Sequence, residues 1–177
     1  MAHNLTTNEE TGRVEFVASS HVSVWHGLGQ RVDGLMTTQQ VYDSTGINFP
    51  VEKRELSFMG NDGEQIAIPD SVGIVRGDNQ KLLSIMKRSY AIIDPETSFQ
   101  IGDILVGEGK AHWATAGSID GGRKIFMQAE IGDSMFIGGR SDEEVKRLML
   151  IANSFDGSIA LVCMLTPVRV VCQNTLD

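Results

Sequence analysis

The apolar positions near the end of the chain fall into two nearly continuous runs. Residues 148–152 and 159–165 are apolar, and they flank the polar hexamer 153–158, which contains an Asp-Gly pair. Because Asp-Gly tolerates positive φ, this pattern predicts a β-hairpin. Neither run alternates with polar residues, so we expect both strands to lie in the middle of a sheet, buried on both faces.

Shorter patterns upstream predict more strands. Val14, Phe16 and Ala18 alternate with polar neighbours, as in a half-buried strand. In residues 51–58, Leu56 and Phe58 share one face of an amphipathic strand. The segment 81–88 fits a helix or a strand, and the Gly-Asp-Asn turn before it favours a strand. The other predicted strands are residues 65–68, 72–76, 112–119, 124–131 and 134–137, with a hairpin turn at residues 120–123.

Two segments carry helix start signals. Thr37 is a suitable N-cap for a short helix that Gly46 can end, and Asp94-Pro95 begins a second helix that runs to Gly107 or Gly109. The residues of the first helical segment that we expect to face the core are Leu35, Val41 and Ile47. The fold class predicted is therefore α+β, a mostly antiparallel sheet of about eight strands with two short helices.

Length and composition fit one domain. The chain has 177 residues, of which 41% are hydrophobic. We expect residues 1–20 to form a flexible, polar N-terminal arm and residues 21–177 a single α+β domain. An arm of this kind can reach a neighbouring subunit, and we expect a homo-oligomer. With no apolar run of about 18 residues and no signal-peptide pattern, we expect a cytoplasmic protein without a membrane segment.

Few residues suit catalysis or metal binding. Cys163 and Cys172 lie in or next to apolar runs, so we expect reduced thiols in the core. The four histidines lack metal-ligand spacing, and only the fold could join His26 and His112 to a cysteine as a metal site. There is no phosphate-binding loop ending in Gly-Lys-Ser or Gly-Lys-Thr and no Gly-x-Ser-x-Gly elbow. The sequence therefore favours a non-enzymatic protein without a cofactor.

The glycine pair after Trp25 and His26 has two interpretations. Gly27 and Gly29 suit a tight turn that packs a buried Trp25, or a weak phosphate cradle. The full dinucleotide fingerprint needs a third glycine that opens a helix, and none follows. We favour the packed turn and retain, as the last of three functional hypotheses, a hydrolytic or nucleotide-processing site near Trp25 and His26.

Five short phrases are distinctive as a set. They are residues 25–29, Tyr90 ahead of the second helix, and residues 120–123, 153–158 and 167–176. Together they resemble an uncharacterised family found in phages, plasmids and laterally transferred bacterial islands. The resemblance covers essentially the whole chain and implies a mobile-element setting, a helical C-terminal extension and no established activity. The family often has His at the position of Phe155, so the resemblance implies no histidine chemistry at this hairpin.

The net charge of −8 excludes a uniformly basic surface that wraps duplex DNA, but it leaves room for a local basic groove. Basic and aromatic residues that could contact a single strand are spread along predicted strands and turns. These candidates are Lys53, Arg54, Arg76, Lys81, Lys87, Arg88, Tyr90, Trp113, Arg123, Lys124, Arg140 and Arg169. The alternative is that the charges are ordinary solvated positions and that both aromatic residues belong to the core.

Two binding hypotheses follow from these features. The first is a non-enzymatic single-stranded DNA-binding protein of phage or plasmid DNA metabolism, such as a recombination or strand-annealing factor. The second is a protein-interaction or anti-defence factor that engages a host protein, which the acidic charge balance favours.

Overall fold

The computed structural model describes residues 4–24, 26–132, 135–136, 144–145 and 147–166. In this part of the chain the fold is mixed α/β and consists mostly of strands, as expected, but nine strands form two sheets and two more form a short ladder. The strands are β1 Phe16–Ser19, β2 Gln30–Val32, β3 Val51–Met59, β4 Gln65–Arg76, β5 Leu82–Lys87, β6 Ala111–Ile119, β7 Lys124–Ile131, β8 Met135–Phe136, β9 Glu144–Val145, β10 Leu148–Ser154 and β11 Val162–Thr166. The helices are α1 Thr38–Thr45 and α2 Pro95–Gly107, and a 3₁₀ turn spans Asp120–Gly122.

The larger sheet has six strands in the order β11-β10-β7-β6-β1-β2. Only β1 and β2 pair in parallel. The predicted hairpin is confirmed, because β10 and β11 are antiparallel from Leu148↔Thr166 to Ala152↔Val162. All of β10 is buried, whereas Cys163, Met164 and Leu165 on β11 are exposed. The expected position in the middle of the sheet is therefore right for β10 and wrong for β11.

The error at β11 has a simple cause. A continuous apolar run predicts a strand, but the number of its neighbours depends on pairings that are distant in sequence. β10 lies between β7 and β11, and β11 is the outermost strand. Cys163 is therefore an exposed thiol rather than a core residue, and Cys172 lies outside the described residues.

The strand β1 is buried on both faces rather than on one. Val17 belongs to the core between the six-stranded sheet and the helices, while Phe16 and Ala18 pack on the opposite face with Phe126. The segment expected as an N-terminal arm is tied to this sheet before β1 begins. Thr6 accepts a hydrogen bond from the Gly122 amide through its hydroxyl.

Both predicted helices are present, and their caps are the expected residues. The Thr37 side chain accepts from the Gln40 amide, Gly46 ends α1 with φ of 66°, and the Asp94 carboxylate accepts from the Thr97 amide. Of the expected core residues, Val41 and Ile47 are fully buried, but Leu35 is 65% exposed. The prediction for Leu35 is wrong because its neighbour Met36 bridges to Trp113, and alternation then turns Leu35 outward. No helix of the described residues is long and apolar enough to cross a membrane.

The smaller sheet has the order β3-β4-β5. The segment 81–88 forms the strand β5, as favoured, but the two short strands predicted at 65–68 and 72–76 are halves of one strand, β4. The ladder with β3 is irregular where Pro69 and Asp70 lie, and Asp70 has φ of 61°. The strand thus passes through an irregularity that the sequence pattern marks as a break.

A buried ionic cluster joins the two sheets. The Arg76 guanidinium, at the end of β4, donates to both carboxylate oxygens of Glu15 at 2.8 and 3.0 Å and to both of Asp78 at 2.8 and 2.9 Å. It also lies 3.8 Å from the centroid of the Phe49 ring. The Ser118 hydroxyl donates to Glu15 from β6. Burial opposes the charge on Arg76, and the hydrogen bonds with Asp78 and Glu15 outweigh it, so the pKa of Arg76 is raised.

The two helices meet over the fully buried Trp113. The Trp113 indole donates to the Thr38 hydroxyl at 2.8 Å, and that hydroxyl donates to Asp103 on α2. Tyr42 lies one turn after Thr38 on α1, and the negative charge of the same carboxylate acts on its phenol. Burial, followed by the charges of Asp103, Glu96 and Asp94, raises the pKa of Tyr42 to about 12. The phenol therefore keeps its proton at neutral pH.

The ionic cluster predicts a large cost for removing Arg76. In Arg76→Ala, Glu15 stays buried without its cation, so we expect the free energy of unfolding to fall by about 3–5 kcal/mol. Urea denaturation of the wild type and the variant measures the change. The control is Arg54→Ala, which breaks an exposed ion pair with Glu52 and should cost about 1 kcal/mol or less. Equal losses in the two variants would contradict the role given to Arg76.

The raised pKa of Tyr42 predicts a loss of stability in alkali. Its folded pKa of about 12 lies above the unfolded value of 10.0, so the contribution is complete below the unfolded pKa and is lost as the pH rises through the folded one. Urea denaturation of the wild type and Tyr42→Phe across this range isolates the effect. We expect the wild type to lose more stability than the variant, and parallel curves would contradict the assignment.

Candidate binding surface

The hairpin between β3 and β4 extends beyond the core of the protein. None of residues 52–71 is buried. The outer part, residues 57–67, is held by three cross-strand pairs, from Ser57↔Ala67 to Met59↔Gln65. A turn at residues 61–63 closes it, with Gly63 at φ of 84°. We call residues 57–67 the β-arm.

The β-arm carries large apolar side chains that no other part of the described structure covers. Phe58 is 53% exposed and Met59 is 67% exposed. The sequence pattern correctly predicts the strand, but it does not show that Phe58 remains exposed. A two-stranded hairpin on its own is marginally stable in water, because it has no third layer to cover its apolar side chains. The β-arm is thus well suited to contact another molecule.

A second apolar area lies on the outward face of the same sheet. Gly73 is the cross-strand neighbour of Ile85, and a Cβ at Gly73 would lie 3.0 Å from Leu82 Cδ1 and 3.2 Å from Leu56 Cδ2. The side chains of Leu82 and Leu56 therefore lie over Gly73, which is buried beneath them. Leu82 is 47% exposed and Ile85 is 59% exposed. We call Leu56, Gly73, Leu82 and Ile85 the outer patch.

Charge is distributed unevenly over this sheet. The β-arm carries the carboxylates of Asp62 and Glu64 and no lysine or arginine. Four of the predicted nucleic-acid contacts lie elsewhere on this sheet, two of them (Arg54 and Lys87) on the face of the outer patch and two towards the opposite face. They are Lys53, Arg54, Lys87 and Arg88, accompanied by the carboxylates of Glu52, Glu55 and Asp70. The smaller sheet therefore has two parts of different charge. The β-arm is acidic and apolar. The part that carries Lys53, Arg54, Lys87 and Arg88, which we call the base of the sheet, is more basic.

Two of the four cations at the base are already in ion pairs. Arg54 lies 2.5 Å from Glu52, and Arg88 binds both carboxylate oxygens of Glu55 at 2.6 and 2.7 Å. The hydrogen bond from Arg88 lowers the pKa of Glu55. Lys53 donates to the Arg88 carbonyl at 2.8 Å. The Lys87 side chain makes no hydrogen bond or ion pair with the described residues.

Two of the other predicted nucleic-acid contacts are not accessible. Trp113 is 0% exposed and Arg76 is 1% exposed, so the prediction that they meet a ligand at the surface is wrong. Trp113 fills the space under both helices, and Arg76 holds the carboxylates of the two sheets together. Tyr90 is half-buried, and its hydroxyl donates to the Ser154 carbonyl at 3.1 Å.

The remaining candidates do not join the base of the smaller sheet. Lys81 pairs with Glu9 and Arg123 with Asp120, each at 3.5 Å. Lys124 begins β7, in the six-stranded sheet. Arg140 and Arg169 lie outside the described residues, as does Trp25 of the glycine turn.

The turn that contains His26, Gly27 and Gly29 is shaped for packing rather than for phosphate binding. Gly27 and Gly29 have positive φ, and a Cβ at Gly29 would clash with the Phe16 carbonyl at 2.4 Å. The His26 ring stacks edge-on against Phe16 at 5.2 Å, and its Nδ1 accepts from the Leu28 amide at 3.0 Å. That amide is therefore not free for a phosphate.

The described residues hold no group of three His, Cys, Asp or Glu side chains placed for a metal ion. His112 Nε2 lies 3.3 Å from the Glu130 carboxylate, across β6 and β7. A polar cavity of about 480 Å³ lies beside Asp78, lined by Asn8, Glu9, Glu10, Asn79 and Lys81. It lacks the apolar lining typical of small-molecule sites, so the exposed apolar surfaces of the smaller sheet remain the better candidate.

Comparison with known proteins adds a family and no activity. Neither a curated protein nor a solved structure matches the chain. The model of one family, described as a domain of unknown function (DUF932), matches residues 82–177. This match covers more than half of the chain, from β5 onward, and we conclude that the protein belongs to the DUF932 family.

Proposed function

We propose that this protein is a non-catalytic interaction module that binds another protein through the β-arm and the outer patch. The observation that carries the proposal is the exposure of Phe58 and Met59 on a hairpin that has no core of its own. Exposed apolar surface of this kind marks protein–protein contacts when it is contiguous and rimmed by polar residues. Leu82 and Ile85 add exposed apolar surface on the outward face of the same sheet.

The charge of the β-arm favours a protein over a nucleic acid as the partner. Asp62 and Glu64 would repel phosphates, and the arm offers no cation to attract them. A protein partner can instead cover the apolar side chains and pair with the strand edges through main-chain hydrogen bonds. β3 is an outer strand of its sheet, so one of its edges is open for such pairing.

Single-stranded nucleic acid remains a second candidate ligand, at the base of the sheet rather than on the arm. The gathering of Lys53, Arg54, Lys87 and Arg88 favours it, since cations beside an apolar surface suit a flexible phosphate backbone and its bases. The setting in phage or plasmid DNA metabolism, with a recombination or annealing role, remains a prediction from the resemblance.

The protein-binding proposal predicts site-specific photo-crosslinking. A photoreactive phenylalanine analogue at position 58 should give a discrete protein adduct, identified by mass spectrometry and reconstituted with the purified partner. The matched control places the same analogue at Ile104, which is 61% exposed on α2 and is distant in sequence from the arm. Diffuse labelling that is equal at both positions, or no protein adduct at position 58, would reject the proposal.

The second candidate predicts salt-dependent binding of a single-stranded oligonucleotide, measured by fluorescence anisotropy with duplex as a control. Each phosphate contact to a single strand contributes about 0.7 to the log–log salt slope, so the double variant R54A/K87A should lower the slope by roughly 1.4. The matched control is R123A, which removes an exposed arginine from another part of the chain. Absence of binding at low salt, or an unchanged slope in R54A/K87A, would remove this candidate.

A further inference from the structure

We infer that the protein bound by the β-arm is a second copy of this chain, and that two copies exchange their β-arms. The inference rests on the proposed function, because it names the partner of the same surface. In this arrangement the arm of each copy lies across the outer patch of the other. Each copy therefore supplies an arm and receives one, which is the isologous geometry of a two-fold dimer.

Charge complementarity supports a second copy as the partner. The β-arm has two carboxylates, Asp62 and Glu64, and no cation. On the face of the outer patch the base carries two cations, Arg54 and Lys87, and Lys87 has no ionic partner among the described residues. An acidic arm laid over a more basic base places opposite charges together at both contacts of the dimer.

The charge of the whole chain restricts where two copies can meet. The net charge is −8, so most of the surface repels a second copy. Residues 51–88, which form β3 to β5, contain equal numbers of basic and acidic residues, and the excess of negative charge lies entirely outside them. Two copies that meet through their smaller sheets thus keep their acidic surfaces apart.

Both surfaces that would meet in this dimer carry exposed apolar side chains. Phe58 and Met59 project from the arm, and Leu82 and Ile85 are the exposed apolar side chains of the outer patch. Because Phe58 and Met59 are consecutive strand residues and point to opposite faces, packing one face of the arm on the outer patch would cover one of them together with Leu82 and Ile85 of the other copy. At about 3.3 Å per residue the β-arm extends for more than 10 Å, and the three strands it must cross lie about 4.8 Å apart. The arm is therefore long enough to span the receiving sheet.

A charge-swap experiment tests this dimer with the full chain. Light scattering coupled to size exclusion should give about twice the chain mass of 19.3 kDa for the wild type. The double variants D62K/E64K and R54E/K87E should each be monomeric, because like charges then face each other at both contacts. An equimolar mixture of the two should recover the dimer, since each arm now matches the base of the other chain. The matched apolar control, Ile104→Ser, should stay dimeric.

Each other outcome overturns the inference. A monomeric wild type, double variants that remain dimeric, or a mixture that remains monomeric would show that the arms are not exchanged. If a charge-swap variant fails to fold, the photoreactive analogue at position 58 supplies the second measurement, with an adduct to residues 82–87 of another copy expected. An adduct only to a different protein would reject the dimer and leave the proposed function standing, whereas the absence of any protein adduct would reject both.

Discussion

The buried guanidinium of Arg76 is the interaction on which the arrangement of the two sheets depends. Arg76 ends β4, Glu15 precedes β1 and Ser118 lies on β6, so one cluster joins both sheets. A charge removed from water is tolerated only when its hydrogen bonds are well formed, and Arg76 meets this condition through two bidentate contacts. Small relative movements of the sheets would break several of these bonds together, and the smaller sheet is thus held in one orientation.

This attachment matters because β4 has two different halves. Residues 72–76 pack in the core, whereas residues 65–71, on the other side of the irregularity at Asp70, lie outside it. The buried half, fixed by Arg76, supports the exposed half that forms one side of the β-arm. A strand that is rigid at one end can hold out an apolar hairpin in a defined direction, which lowers the entropic cost of binding.

Features that depend on neighbours in sequence were predictable, and those that depend on distant pairing were not. The caps at Thr37 and Asp94 and the turn at residues 61–63 follow from side-chain chemistry within a few residues. The edge position of β11 and the burial of Arg76 depend on contacts across the chain, such as the pairing with Glu15. The sequence therefore indicated the four cations at the base of the smaller sheet, but it could not distinguish them from Arg76, which is buried and structural.

The exposure of Phe58 is likewise not given by the sequence pattern. An amphipathic pattern indicates that one face of a strand is apolar, but it does not say which molecule covers that face. In residues 57–67 the described part of the chain provides no such cover, and Phe58 and Met59 stay exposed. The pattern in the sequence and the exposure in the structure agree if the covering surface belongs to another molecule. A second copy satisfies this condition most simply, because its outer patch has exposed apolar side chains and its base has the positive charges that the arm lacks.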